Sequence, residues 1–197
     1  MKSPSLQIGN QIFNWGARTV VMGILNITPD SFSGDGLMSS GDMLEQSVRQ
    51  AEHFLRHHVD ILDVGGESTR PGSKAVTVDE ELERVIPVIQ ALHTNFPETL
   101  ISIDTYKAKV AEAGFKAGAH ILNDVWALRA DPELASVAKK FNVPVILMHN
   151  RSNPATVEVR ENLGNAYIGS EYDDLIEDVK RELLMSVDIA KKAGIEE

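Results

Sequence analysis

The 197-residue chain contains no cysteine. That excludes disulfide stapling and thiolate metal sites, and it is compatible with a reducing compartment. Also missing is any run approaching the roughly 18 apolar residues of a membrane span, and no long apolar segment follows the single N-terminal lysine as in a signal peptide. A cytoplasmic location is the expectation. Cations are in short supply: 19 Lys and Arg stand against 29 Asp and Glu, a formal charge of -10, with a pI near 5.1. This balance disfavours a nucleic-acid backbone or an anionic membrane surface as the main partner, so any anionic substrate must be held by local donors. Low-complexity segments and strict sequence repeats are absent too.

What is present is an ordinary soluble composition, 43% hydrophobic and 24% charged, enough for the core of one domain. Five short apolar runs end in polar residues: Val20 to Asn26, Asp60 to Gly65, Leu100 to Asp104, Ala119 to Asp124 and Val143 to His149. Runs of this kind read as strands buried on both faces, whose last side chains emerge where the strand stops. Each is followed by a helical pattern. Leu44, Val48, Ala51 and Leu55 form one stripe, Leu82, Val85, Ile86, Ile89 and Leu92 another, and Leu134, Val137, Ala138 and Phe141 a third. A short helix with Val110 and Ala113 is ended by Gly114 or Gly118, and Asp131-Pro132 reads as a capped helix start. A last helix carries Leu175, Ile176, Val179, Leu183, Val187 and Ala190. Ahead of all this, residues 1–19 read as a hairpin turning at Gly9-Asn10, a cap for one end of the core.

Strand-helix alternation means a parallel sheet, open and doubly wound or closed as a barrel. Polar residues at every strand's C-terminal end favour the barrel, since an open sheet gathers its site at one switch point. A (β/α)8 barrel needs eight units over roughly 250 residues, and five are visible. The expectation is an α/β chain of the TIM-barrel family with about five βα units, residues 20–197 forming a partial barrel behind the hairpin cap. An open five-unit sheet would expose an apolar edge, so self-association is a further expectation.

Five motifs carry a specific resemblance. Met22-Gly23-Ile24-Leu25-Asn26-Ile27-Thr28-Pro29-Asp30-Ser31-Phe32-Ser33, Asp63-Val64-Gly65-Gly66-Glu67-Ser68-Thr69-Arg70-Pro71-Gly72, Ser102-Ile103-Asp104-Thr105, Asn123-Asp124-Val125 and Leu147-Met148-His149 resemble dihydropteroate synthase, in order and at family spacing. The resemblance covers residues 20–197. It implies a transferase of folate biosynthesis, the sulfonamide target, which condenses 7,8-dihydropterin-6-ylmethyl diphosphate with 4-aminobenzoate to give dihydropteroate and diphosphate.

By this resemblance Asp104 and Asn123 hold the pterin, Met148 and Val125 wall its ring, and Asn26 coordinates Mg²⁺ or the diphosphate. Ser31, Phe32, Thr69, Arg70 and Pro71 help form the 4-aminobenzoate pocket. Phe32, Asp35 and Arg70 are the catalytic candidates, meeting charge that develops on the pterin-methylene unit and on the departing diphosphate. The residue chemistry agrees: a flat ring with donor nitrogens suits a carboxylate and an amide on adjacent strand tips, a guanidinium forks onto oxygens, and Mg²⁺ is content with one protein oxygen beside substrate oxygens and water. Each residue also has a plainer reading. A strand-end Asp or Asn is commonly a cap, Asn26 could be a turn residue, Arg70 a solvated one, Met148 core filler, and His149 a satisfied strand-end histidine or a diphosphate contact.

The chain departs from the family pattern in places. It reads Ser33-Gly34-Asp35-Gly36 where many members have Ser-Asp-Gly-Gly, Trp126 replaces a smaller residue, and His149-Asn150-Arg151 is one variant among several. The family's later Asp-Pro-Gly strand, lysine-bearing strand and Arg-x-His tip have no counterpart, so little synthase activity is expected of this polypeptide alone. Two rivals are a pterin-binding methyltransferase barrel, which should lack the Ser68-Thr69-Arg70-Pro71-Gly72 loop, and a non-catalytic pterin-binding fragment. A Schiff-base aldolase is weaker, because the nearest lysine to a strand tip is Lys107, expected on the helix surface.

Overall fold

A computed structural model describes residues 5–14, 16–28, 40–68, 75–151, 159–160, 166–167 and 172–196. A hairpin of β1 (Ser5–Ile8) and β2 (Gln11–Asn14) precedes the alternating units β3 (Met22–Asn26), α1 (Ser40–Arg56), β4 (Ile61–Gly65), α2 (Val78–Asn95), β5 (Leu100–Asp104), α3 (Ala108–Ala117), β6 (Ile121–Asp124), α4 (Leu134–Phe141) and β7 (Val145–Leu147). Two short strands, β8 (Val159–Arg160) and β9 (Ala166–Tyr167), pair with each other before α5 (Leu175–Lys192). The sheet is five-stranded and parallel in the order β3-β4-β5-β6-β7. Strand order equal to chain order is what a barrel wall requires and what a doubly wound sheet lacks.

Side chains alternate across the sheet. One set, Leu25, Leu62, Val64, Ile101, Ile103 and Leu122, is almost fully buried against Ala51, Val85, Ile89, Leu92, Val110, Leu134 and Ala138 of the helical layer. The other set faces the concave side. At its foot Ile61, Leu100 and Ile121 cluster with Ile8 and Phe13, so the hairpin packs against the N-terminal ends of the strands. Gly9 makes the hairpin possible with φ +54°, a left-handed conformation that a side chain disfavours.

Three local expectations need correction. Gly114 does not end α3. It is buried inside that helix, and Gly118, with φ +117°, closes it as a left-handed cap. Asp131-Pro132 does not open α4, which starts at Leu134 behind an N-cap, Glu133, that makes no side-chain capping bond; Asp131 Oδ1 accepts from the Glu133 N–H at 3.0 Å in the turn before it, while its Oδ2 accepts from the Ala108 N–H at 2.8 Å. It therefore caps α3, whose own N-cap Lys107 makes no side-chain capping bond. The strand expected over Val143 to His149 contracts to Val145–Leu147, because β6 offers only Leu122, Asn123 and Asp124 as partners.

Candidate active site

The register of the four ladders puts Asn26, Gly65, Asp104, Asn123 and Ile146 in one row across β3, β4, β5, β6 and β7. Strands lie about 4.8 Å apart, so Asp104 and Asn123 are immediate neighbours and Asn26 is about 10 Å from Asp104 along the rim. Gly65 contributes no side chain between them, and a Cβ added there would come within 3.4 Å of the Asp104 carboxylate. The row therefore carries no side chain between Asn26 and Asp104, and Gly65 itself is buried.

Asp104 is only partly exposed. Burial, reinforced by Asp63, Glu81, Asp124 and Glu67, raises its carboxyl from 3.8 to about 7. A group so poised gains most from a ligand that donates hydrogen bonds to it. Asn123 is half-buried, and its Nδ2 donates to Asp63 Oδ2 at 3.0 Å. Asp63 stands one layer lower, 3% exposed, its carboxyl pushed up by burial against the opposing pull of Ser102 and Asn123. The Ser102 hydroxyl lies close enough to weigh on that carboxyl. Even so, Ser102 Oγ and Asp63 Oδ1 find no well-formed hydrogen bond among the described residues.

Asp124, fully buried, accepts from the N–H groups of Trp126 at 2.8 Å and Leu128 at 2.6 Å. These bonds hold a tight turn in which Ala127 (φ 53°) and Leu128 (φ 63°) both adopt left-handed backbone, a costly conformation for residues with a Cβ. Burial raises the Asp124 carboxyl, and the backbone donors counter it. Val125, at the start of this turn, is only 8% exposed, whereas Met148, just past the end of β7, is 43% exposed. His149 is engaged sideways: its Nε2 lies 2.8 Å from Glu182 Oε2, and Arg151 pairs with Glu182 and Asp178 of α5.

Lys107 corrects the sequence expectation. Rather than lying on the helix surface, its ammonium is buried between the carboxylates of Glu67 and Glu81. Burial works against that charge, and the two carboxylates still hold its pKa above the usual value. Glu67 Oε1 also accepts from the Val76 N–H and the Tyr106 hydroxyl, both at 3.2 Å. It thus ties together residues on both sides of 69–74.

Of the residues singled out from sequence, Asn26, Asp104 and Asn123 share the rim, with Met148 and Val125 beside β6 and β7. Ser31, Phe32, Asp35, Thr69, Arg70 and Pro71 lie outside the described residues. Sequence reasoning passed over Asp63, Ser102, Glu67 and Asp124. For Asp63 a signal existed: a carboxylate within Ile61-Leu62-Asp63-Val64 interrupts an apolar strand and has to be partnered. Among the described residues no three His, Asp or Glu side chains gather as a metal site.

A profile of pterin binding enzymes matches residues 22–197. The dihydropteroate synthase of Clostridium beijerinckii is 44% identical over 192 residues, which is 98% of this chain and 64% of that protein. Among solved structures, the dihydropteroate synthase of Clostridium difficile, in the presence of pteroic acid, aligns with a TM-score of 0.80 at 42% identity, over 94% of this chain and 63% of that one. That of Xanthomonas albilineans, with 4-aminobenzoic acid, aligns with a TM-score of 0.81 at 40% identity, over 98% and 63%. Against the curated relatives first matched, the chain spans 56% to 64% of their length.

Proposed function

Since the chain belongs to the pterin-binding enzymes, we propose that it carries the pterin-gripping rim of a dihydropteroate synthase, the folate-pathway transferase that joins a dihydropterin-methyl diphosphate to 4-aminobenzoate. The observation that carries this reading is the single row Asn26, Gly65, Asp104 and Asn123. One Nδ2 proton of Asn123 is committed to Asp63, which leaves its second N–H and its Oδ1 for a ligand. A donor beside an acceptor complements the N=C–NH2 edge of an aminopyrimidine ring. Asp104 adds an acceptor for a further ring N–H, and Gly65 places no side chain beside it.

In this reaction the bond between the methylene carbon and the diphosphate oxygen breaks, its electron pair leaving with diphosphate. The arylamine nitrogen then forms the new C–N bond and loses a proton. Asn26, exposed at the end of β3, is the residue that would hold Mg²⁺, its amide oxygen combining with diphosphate oxygens and water. The donor set fits: one hard oxygen on an open rim, with no competing cluster of carboxylates and histidines among the described residues. When bound, Mg²⁺ supplies charge neutralisation for the leaving group. Ser31, Thr69, Arg70 and Pro71 form the arylamine pocket in this proposal, and Phe32, Asp35 and Arg70 meet the developing charges. Val125 and Met148 wall the ring. Solved relatives bearing pteroic acid and 4-aminobenzoic acid support the two ligand classes.

By itself the 197-residue chain should turn over little, because the Asp-Pro-Gly, lysine and Arg-x-His motifs that complete the family's site are not in its sequence. Ile24, Ile146 and Met148, 59%, 40% and 43% exposed near the rim, support the self-association of copies. No described helix is long and apolar enough to cross a membrane. A cytoplasmic location is part of the proposal, and the cysteine-free sequence is compatible with it. Calorimetry of the chain with the pterin diphosphate, followed by 4-aminobenzoate and by a turnover assay, tests the proposal. Pterin binding with turnover far below that of a longer relative is expected. Failure to bind any pterin overturns it.

A further inference from the structure

Asp63 has no assigned part in the site, and its surroundings suggest one. It is 3% exposed in the layer below the rim row, in register with Ser102 of β5, which is fully buried. Its Oδ2 reaches past β5 to the Nδ2 of Asn123 on β6, and the small Ser102 side chain leaves the path open. Its other oxygen has no hydrogen-bond partner among the described residues. An ionised carboxylate can only accept. The Asn123 amide turns its nitrogen toward Asp63, as an ionised partner requires, and the same rotation sets which of its atoms face the rim.

We propose that Asp63 is a positioning residue for substrate specificity: by anchoring the Asn123 amide in one orientation, it makes the rim select a 2-amino pteridine over its 2-oxo counterpart. This rests on the pterin reading above. With the nitrogen anchored, the rim offers Oδ1 beside one N–H, the pattern that accepts from an exocyclic amine and donates to an unprotonated ring nitrogen. A 2-oxo ring presents the reverse pattern, a carbonyl that accepts beside a ring N–H that donates. It would be served only by a flipped amide, and Asp63 forbids that flip because it would set Oδ1 against a carboxylate. Releasing the amide should therefore spare the oxo ligand and penalise the amino ligand relative to it.

The test compares pterin and lumazine, which differ in the 2-amino and 2-oxo groups, on the full chain and on Asp63→Ala and Asp63→Asn. The unaltered chain should prefer pterin by about tenfold or more, the scale of one mismatched hydrogen bond. Asp63→Ala should bring the two affinities within about threefold of each other. Asp63→Asn, which can offer either Oδ1 or Nδ2 and so serves both orientations of the Asn123 amide, should lose much of the preference while keeping the side-chain volume. A purely structural role would weaken both ligands alike and leave the ratio unchanged, which would overturn the proposal.

A ligand-free measurement separates this from failure of the pterin reading itself. Exchange of the Asn123 side-chain Nδ2 protons with solvent, followed by NMR, should be slower than that of the exposed Asn10 and should speed up about tenfold or more in Asp63→Ala. An unchanged rate means the amide is not held by Asp63, whatever the chain binds. Should Asp63→Ala not fold, loss of protection and of the pterin preference in Asp63→Leu serves in its place, and retention of both there counts against the proposal.

Discussion

The Lys107 ammonium lies 2.5 Å from the Glu81 carboxylate across the gap between α2 and α3, with Glu67 closing the triad from the end of β4. All three side chains are at most 13% exposed. Glu81 is the more dependent of the two carboxylates on that cation, since Glu67 also accepts from Val76 and Tyr106. Replacing it with a neutral side chain of similar length leaves Glu81 without its cation and Glu67 with neutral donors only, so Lys107→Met should cost up to about 3–5 kcal/mol. Urea unfolding followed by circular dichroism reads this directly, and a loss under 1 kcal/mol would mean the triad is solvated. Lys107→Met combined with Glu81→Met should recover part of the loss, since one of the orphaned charges goes with it.

Asp104 makes stability and ligand affinity respond to pH in opposite senses. Its folded pKa of about 7 lies above the ordinary 3.8, so between these values the native chain keeps a proton that the unfolded chain has released. The group's contribution is fully present below about pH 4 and is lost as pH rises toward 7, by no more than about 4 kcal/mol. Asp104→Asn should flatten that part of the stability curve. Binding of a pterin that donates an N–H to the carboxylate should instead strengthen as pH rises, about tenfold per unit until it levels off near 7. Calorimetric titrations of pterin from pH 5.5 to 8 follow it, and affinity that falls over this range would contradict the assigned role.

The helix-to-sheet contact at Gly114 should tolerate no extra atom. A Cβ there would lie 2.3 Å from Ile103 Cδ1, and Ile103 is itself fully buried. Gly114→Ala should destabilise by about 1–3 kcal/mol through overpacking. The cause can be isolated: Ile103→Val removes the clashing methyl, so Gly114→Ala should cost measurably less in that background. Equal costs in the two backgrounds would assign the effect elsewhere.

Asn26 predicts a metal effect limited to one class of ligand. If its amide oxygen and diphosphate oxygens share Mg²⁺, then Mg²⁺ should tighten binding of the pterin diphosphate and leave a pterin without diphosphate unaffected. Asn26→Ala should remove most of that gain, about tenfold or roughly 1.4 kcal/mol. Titrations with and without chelator distinguish the cases, and an equal Mg²⁺ effect on both ligands would exclude this site.

Much of the architecture was legible because periodicity and punctuation are local. Apolar runs ended by Asn26, Asp104 and Asn123, the stripes of α1, α2 and α4, and the Gly9-Asn10 turn depend on neighbouring residues, so a linear reading captures them. Lys107 misled for the same reason. Polar and placed at a helix start, it looks solvent-facing until two distant carboxylates are brought to it. Gly114 and Gly118 were indistinguishable as helix ends, because the choice rests on Ile103 across the layer and on which glycine adopts positive φ.

The sequence by itself determined that five strands are parallel, that their ends are polar, and which side chains stand at those ends, since alternation and spacing are properties of the chain. Tertiary structure alone decided the register that sets Asn26, Gly65, Asp104 and Asn123 in a row, and the reach of Asp63 past β5 to Asn123. Those relations span 60 residues in the case of Asp63 and Asn123. They come into being only when ladder hydrogen bonds align the strands, and a shift of one residue in any ladder would turn its rim side chain to the helical face.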